Sequence, residues 1–358
     1  MPVGAVPVPG FGLYLAQPGT AQAAYLGLPV VALPPDLGHL RPGDVLHTNP
    51  NATRLSVLWK ASARHNSLLL TERCDNYCLM CSQPPKERED GWLYDRALRV
   101  IACTPEDAQT VCLTGGEPTL YPDRLLALLS ECARLRPAMR VLLLSNGRRF
   151  ADPAFARAYA ALDQPGLMVG IPLYAGEEAL HDYIVQARGA FTETVRGVLN
   201  LGALGQRIEL RVVIQKHTVD HLAEIAEYIC RNLPFVEQVA LMGLEMTGFA
   251  RSNHDEVWVD PYDYREQLAS AALRLRAARI NARIYNHQLC TLDRRLWPLS
   301  VKSISDWKNT YAEACQSCSV REQCGGVFST SRGRVSEHIH AISEECENGV
   351  AVGADRRR

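Results

Sequence analysis

From Ser67 onward, short near-continuous apolar runs alternate with longer stretches whose apolar residues recur every three or four positions. The runs are SLLLT (67–71), TVCLT (110–114), RVLLLS (140–145), LMVGIPL (167–173), IELRVVI (208–214) and VEQVALM (236–242). The periodic stretches near 92–102, 123–136, 153–162, 190–204 and 219–231 predict helices between them. Apolar strands regularly separated by amphipathic helices predict a parallel sheet covered by helices. Six such units predict an α/β fold of the partial, TIM-like (β/α)6 barrel kind, with its chemistry at the C-terminal ends of the strands.

The rhythm is different on either side. Residues 1–65 are rich in Pro, Gly and Val, and carry short apolar pieces such as LPVVALP and SVLW. Turn signals at Arg41-Pro42-Gly43-Asp44 and Asn49-Pro50-Asn51 separate them, so a small β-rich appendage is expected. The barrel is assigned to 66–260. Residues 261–358 are read as a helix near 261–279 and a short run ARIYN (282–286), followed by a cysteine-rich extension.

Composition narrows the function classes. The chain has 358 residues, 47% of them apolar, enough for a sizeable core. No run approaches the ~18 uninterrupted apolar residues of a membrane span. The first residues lack a basic segment leading into an apolar one, so no secretory signal is expected and a cytoplasmic location is. With 38 basic and 39 acidic residues, the net charge of −1 provides no field for gripping a phosphate backbone. The terminal Arg356-Arg357-Arg358 is too short to change that, and neither nucleic acid nor membrane is an expected partner.

Twelve cysteines stand out, and their clustering points to metal rather than disulfides. Cys74, Cys78 and Cys81 sit together in TERCDNYCLMCSQPPK, which begins where the first strand stops. Three thiolates at spacings of four and three can hold one face of a [4Fe–4S] cube and leave its fourth iron open. The bland readings are a zinc knuckle, or a cluster completed by a distant fourth cysteine. Cys315, Cys318 and Cys324 form a second knot followed by Gly325-Gly326; Cys290 upstream makes a fourth thiolate, enough for a cluster or a structural zinc. Cys346 either replaces Cys290 as a ligand or lies free. Cys103, Cys112, Cys132 and Cys230 stand singly in apolar segments and are expected to be small buried hydrophobes.

The Cys74-x-x-x-Cys78-x-x-Cys81 loop after a first strand resembles the signature of the radical S-adenosylmethionine (SAM) superfamily, whose final cysteine often follows an aromatic residue where this chain has Met80. The resemblance implies a radical SAM barrel with SAM and a [4Fe–4S] cluster as cofactors and Cys74, Cys78 and Cys81 as its ligands and catalytic centre. It also implies that Gly115-Gly116-Glu117-Pro118, after the second strand, holds the methionyl amino group. Ser145-Asn146-Gly147, after the third strand, would contact ribose or carboxylate; a plain tight turn is the other reading. Met80 would pack on adenine or shield the cluster, Leu244 would lie near the adenine, and Arg211 and Gln215 flank the fifth strand. His181-Asp182, after the fourth, is read as a surface loop or a substrate contact.

The C-terminal knot resembles the auxiliary-cluster extensions called SPASM or twitch domains, which implies one further [4Fe–4S] cluster on Cys290, Cys315, Cys318 and Cys324. The strings TERCDNYCLMCSQPPK, LTGGEPT, SNG and SVKSISDWKN, with the knot, resemble the His-Xaa-Ser system radical SAM maturases of the HxsC type. That likeness spans roughly 40–330. It implies a ribosomally made repeat peptide as substrate, a companion maturase as partner and an electron donor such as flavodoxin or ferredoxin. Residues 1–65 would then recognise a leader peptide by strand addition or merely cover one barrel end. A small metabolite or RNA as the substrate is the alternative enzyme reading, and a non-catalytic iron–sulfur sensor or electron carrier is the alternative of another class.

Overall fold

The computed structural model describes residues 14–16, 30–32, 37–48, 55–305, 308–331 and 334–343. The Asn49-Pro50-Asn51 turn, Cys346 and the three terminal arginines lie outside these residues. In the N-terminal part, β1 (Tyr14–Ala16) pairs parallel with β2 (Val30–Ala32), and β3 (Val45–Thr48) pairs antiparallel with β4 (Leu55–Trp59). The chain then enters the main sheet through a reciprocal lock: Lys60 N–H donates to Asn66 Oδ1 (2.8 Å) and Asn66 Nδ2 to the Lys60 carbonyl (3.1 Å).

The sheet contains β5 (Asn66–Leu69), β6 (Thr110–Thr114), β7 (Arg140–Leu144), β8 (Leu167–Pro172), β9 (Arg207–Val213), β10 (Gln238–Met242), β11 (Asn281–Tyr285) and β12 (Ser300–Val301). They lie side by side in chain order and every neighbouring pair is parallel. Parallel neighbours need a crossover, and helices supply most of these. They are α1 (Trp92–Cys103), α2 (Pro122–Leu135), α3 (Pro153–Ala160), α4 (Glu178–Val185), α5 (Ala190–Ala203), α6 (Lys216–Val219), α7 (Leu222–Asn232), α8 (Gly248–Ser252), α9 (His254–Val257) and α10 (Arg265–Ala277). A last antiparallel pair, β13 (Asn309–Thr310) and β14 (Val327–Phe328), belongs to the cysteine-rich end. All six expected strands are present, and ARIYN and Ser300–Val301 extend the sheet to eight. β5 and β12 are its two edges and do not pair with each other, so the arrangement is a partial TIM-like barrel, not a closed one.

Period-two alternation explains the packing. Val111, Leu113, Val141, Leu143, Val169, Ile171, Leu210 and Val212 are fully buried in one cluster with helix residues such as Ile101, Leu128, Leu129 and Leu201. The other row, including Cys112, Leu142, Leu144 and Arg211, is only half-buried, because an open barrel leaves that face without a complete opposite wall. This changes the reading of the single cysteines. Cys132 is buried as expected, but Cys112 lies on the half-open sheet face, Cys230 is half-buried on α7, and Cys103 is exposed as the last residue of α1. The helix expected over 219–231 is α7, preceded by the short α6, where Thr218 caps the Gln215 backbone N–H (2.9 Å). His181-Asp182 is not in a loop: both lie on α4, and the Asp182 carboxylate caps the next helix by accepting from Gly189 and Phe191 N–H.

Two buried histidines are fixed neutral. His181 Nδ1 accepts from Tyr174 N–H (3.3 Å). His287 Nδ1 faces the Tyr285 carbonyl (2.8 Å), which can only accept, so Nδ1 carries the proton and Nε2 accepts from Tyr264 OH (2.9 Å). Burial pushes both down from 6.5 to about 4. The unfolded chain therefore takes up these protons first as pH falls. Stability contributed by the neutral rings is complete above pH 6.5 and is lost as pH falls toward 4, on the order of 3 kcal/mol per histidine. Denaturant unfolding of the cluster-free protein at successive pH values should show that decline; a flat profile from pH 7 to 5 would contradict it.

A close approach binds α5 to the turn after β7. A Cβ added at Gly197 would lie 2.2 Å from the Gly147 carbonyl oxygen, whereas one at Gly202 meets the ring of half-exposed Phe235. Gly197→Ala should cost about 1–3 kcal/mol in the same assay, and Gly202→Ala clearly less, since a half-exposed ring can swing aside. Equal costs would show that the Gly147 carbonyl is not the obstacle.

Candidate functional site

The cysteine loop leaves β5 and is held from below by main-chain bonds. Gly116 N–H donates to the Thr71 carbonyl (2.8 Å) and Glu117 N–H to the Arg73 carbonyl (2.7 Å). Asp90, fully buried, accepts from Thr71 Oγ1 (2.8 Å) and Glu72 N–H (2.6 Å). On the other side, the loop donates from Tyr77 and Leu79 N–H to the carbonyls of Val185 and Ile184, at the end of α4 where helical carbonyls lack partners (both 2.9 Å). Phe249 N–H donates to the Cys81 carbonyl (2.8 Å) and Asn253 Nδ2 to that of Leu79 (2.8 Å).

The three thiols are half-buried. Burial pushes all three up, Cys78 to about 12, and the buried Glu117 carboxyl adds to the effect at Cys74. Uncoordinated, they are thiols; bound iron would invert this by favouring the thiolates. Among the described residues, no three His, Cys, Asp or Glu side chains are gathered tightly enough to hold a single metal ion. A cube binds each thiolate on a separate iron, so such ligands need not converge on one point. Three thiols on one loop, with Asn76 N–H donating to Cys74 Sγ (3.4 Å), suit a cluster with one iron left open.

Gly115 and Gly116 do a different job first from the one expected. A Cβ at Gly115 would sit 2.4 Å from the Thr71 carbonyl oxygen, and one at Gly116 2.0 Å from that of Arg73. The missing side chains let the cysteine loop lie against this turn. Glu117 is fully engaged: Oε1 accepts from Thr119 N–H (2.8 Å), Thr119 Oγ1 (2.7 Å) and Ser145 Oγ (2.9 Å), and Oε2 from Asn146 N–H (2.6 Å). Its side chain thus joins two strand-end turns instead of facing an open space. Pro118 offers its carbonyl to Tyr94 OH (2.6 Å). Gly147 has φ +83°, and a Cβ there would lie 2.8 Å from Ile171, so only glycine fits this turn.

From that turn, Asn146 Nδ2 donates to Asp75 Oδ1 (2.6 Å), and Arg148 donates to the Asp75 carbonyl (2.9 Å) and Asn76 Oδ1 (2.8 Å). Asp75, Arg148 and its partner Glu193 (2.6 Å) were not singled out from the sequence. Other expected residues gather as well. Met80 is buried among Tyr174, Met246 and Val185, with Cys78, Val213 and Leu244 packed against this group. Arg211 is ion-paired with Glu209 (2.5 Å) at the level of Pro172, the last residue of β8. Gln215 is fully buried at the start of α6.

Cys290, Cys315, Cys318 and Cys324 line one small cavity, walled by apolar groups including Leu289, Tyr311, Val320 and Ile342. Main-chain N–H groups point at its sulfurs: Leu289 and Gly326 donate to Cys324 Sγ (both 3.4 Å), and Ile342 to Cys318 Sγ (3.5 Å). Burial raises Cys290 and Cys315. Four thiols around a largely apolar cavity with donors aimed at sulfur are a donor set that a fully ligated cluster fits.

Residues 68–229 match the sequence model of the Radical SAM superfamily. A GTP 3',8-cyclase of Actinobacillus succinogenes is 28% identical over 169 residues, covering 46% of this chain and 48% of that protein. The enzyme of that name from Mycobacterium ulcerans is 32% identical over 150 residues, 40% of each chain. The matched part therefore spans less than half the length of these relatives. Among solved structures, Streptococcus suis SuiB bound to S-adenosylmethionine superposes with a TM-score of 0.51 at 15% identity, covering 64% of this chain and 52% of that one. SuiB bound to its precursor peptide SuiA gives 0.51 at 14%, covering 64% and 50%. At such identity the likeness is one of fold. With a cysteine loop at the end of the first sheet strand, pinned to glycine turns after the second and third, residues 68–229 are the part of the chain that resembles the radical SAM superfamily.

Proposed function

We propose that the protein is a radical SAM peptide maturase. The supporting observation is the loop of Cys74, Cys78 and Cys81, held rigidly between the Gly115-Gly116 turn, the Ser145-Asn146-Gly147 turn and the end of α4. With three chain ligands, a [4Fe–4S] cluster there leaves one iron for SAM. Bound and reduced, it would supply the electron that cleaves SAM to methionine and a 5′-deoxyadenosyl radical. The chain's own part is to orient and exclude water. Gly115 and Gly116 keep backbone close beneath the loop, Glu117 fixes the neighbouring turn, and Met80, Tyr174, Leu244 and Met246 form an apolar wall beside Cys78. In this reading the carbonyls of the Gly115–Pro118 turn receive the methionyl ammonium, and Ser145 and Asn146 lie nearest the ribose or carboxylate. Arg211 and Leu244 complete the cofactor set.

The four-cysteine cavity supports a second, fully ligated [4Fe–4S] cluster on Cys290, Cys315, Cys318 and Cys324, which could accept an electron from an oxidised substrate or staple the C-terminal segment. The sequence strings shared with HxsC-type maturases favour a His-Xaa-Ser repeat peptide as substrate, with a companion maturase and a flavodoxin or ferredoxin as partners. SuiB bound to a precursor peptide shares the fold. The kinship with GTP 3',8-cyclases favours a second reading, in which the substrate is a nucleotide. No described helix is long and apolar enough to cross a membrane.

The reconstituted, reduced enzyme should release 5′-deoxyadenosine from SAM, and Cys74→Ala, Cys78→Ala or Cys81→Ala should reduce this to background. Equal product from a triad variant would refute the reading. Iron analysis should find about eight irons per chain, falling to about four in Cys318→Ala. Parallel incubations with the neighbouring encoded repeat peptide and with GTP, followed by mass analysis, separate the two substrate classes. Modified peptide supports the maturase, and a cyclised nucleotide supports the alternative.

A further inference from the structure

We propose that Arg148 is a positioning residue for the Cys74–Cys81 loop and, by compensating local negative charge, sets the reduction potential of the centre that this loop holds. The inference rests on the triad being the SAM-binding cluster site.

Arg148 follows the Ser145-Asn146-Gly147 turn and is anchored there by its own N–H, which donates to Asn146 Oδ1 (3.0 Å). Its side chain is 17% exposed. The guanidinium reaches across to the stretch between the first two cysteines, donating to the Asp75 carbonyl and to Asn76 Oδ1, with the Asp75 carboxylate at 3.3 Å. A further arm holds Glu193 on α5. Among the described residues, it is the only cation hydrogen-bonded to residues 74–78. A planar fork with several fixed donors can satisfy these positions at once; an ammonium cannot.

The charges around the loop show what the cation is for. Glu117 is buried beneath it and Asp75 belongs to it, the two carboxyl groups being linked through Asn146, whose N–H donates to Glu117 and whose side-chain amide donates to Asp75. Reduction would add one more negative charge to a centre already carrying three thiolates beside two carboxylates. Arg148, hydrogen-bonded to the two residues that follow Cys74 and 3.3 Å from the Asp75 carboxylate, offsets part of this. Net charge around a cluster is one of the determinants of its potential. Removing the cation should therefore make the centre harder to reduce, and removing Asp75's charge should make it easier.

Wild type, Arg148→Met, Arg148→Lys and Asp75→Asn would be reconstituted without oxygen and titrated with reductant, following the EPR signal that changes when SAM is added, which separates this centre from any second cluster. The expected result is a more negative midpoint for Arg148→Met, a midpoint nearer wild type for Arg148→Lys, and a less negative one for Asp75→Asn. A wild-type midpoint in Arg148→Met overturns the proposal. Should Arg148→Met fail to retain iron, Asp75→Asn decides, and an unchanged or more negative midpoint there overturns it. A wild-type protein with no SAM-responsive signal would instead overturn the radical SAM reading and this inference with it, a result distinguishable from the others.

Discussion

Two carbonyl oxygens, those of Thr71 and Arg73, lie closer to Gly115 and Gly116 than any side chain would permit. This contact makes the functional end of the barrel possible. It joins the end of one parallel strand to the turn after the next by main-chain hydrogen bonds, extending sheet pairing beyond the last residues of β5 and β6. The cysteine loop therefore starts from a fixed base, and the Asp90 carboxylate caps the peptide groups left free where it bends away. A scaffold that fixes the backbone of a ligand loop leaves little conformational entropy to lose when that loop takes up metal.

On this base, polar side chains carry order from turn to turn. Glu117 takes four donors and is satisfied in a fully buried place where an unpaired carboxylate would be costly. Asn146 receives that order through its backbone N–H and passes it on through its amide to Asp75. The three strand-end turns thus behave as one unit, and α5 is docked on it through Thr194, whose hydroxyl donates to the Asn146 carbonyl, and through the bare surface of Gly197. The same network ends on the Asp75 carboxylate beside Cys74, where Arg148 supplies the counter-charge.

Much of this was legible in the chain. Buried parallel strands are almost uniformly apolar, so six were found nearly to the residue, and the cysteine spacing and GGEP turn marked the functional end. ARIYN showed as a separate run, but its place beside β10 depended on pairing that no local pattern encodes. The short helix α4 escaped because EALHDYIV carries little periodicity and is defined chiefly by the Glu177 cap. Asp75, Arg148 and Glu193 escaped for another reason: the contacts from Arg148 span 73 residues to the Asp75 carbonyl and 45 to Glu193, and one sequence does not say which charges meet. Glu117 was expected as part of the cofactor-holding turn, and its carboxylate is taken up by Thr119, Ser145 and Asn146, since a motif marks a position without telling which neighbours its side chain meets.

The strictly sequential strand order has a consequence for biosynthesis. Each strand pairs with the one made just before it, so the sheet can grow unit by unit as the chain emerges, with few long loops to close. Every group that grips the cysteine triad has been synthesised by Asn253, whereas the wall of the four-thiol cavity is complete only once Ile342 arrives. The loop of Cys74, Cys78 and Cys81 is therefore fully framed about ninety residues before the four-thiol cavity can exist, and translation itself gives the two sets of thiols a direction of assembly.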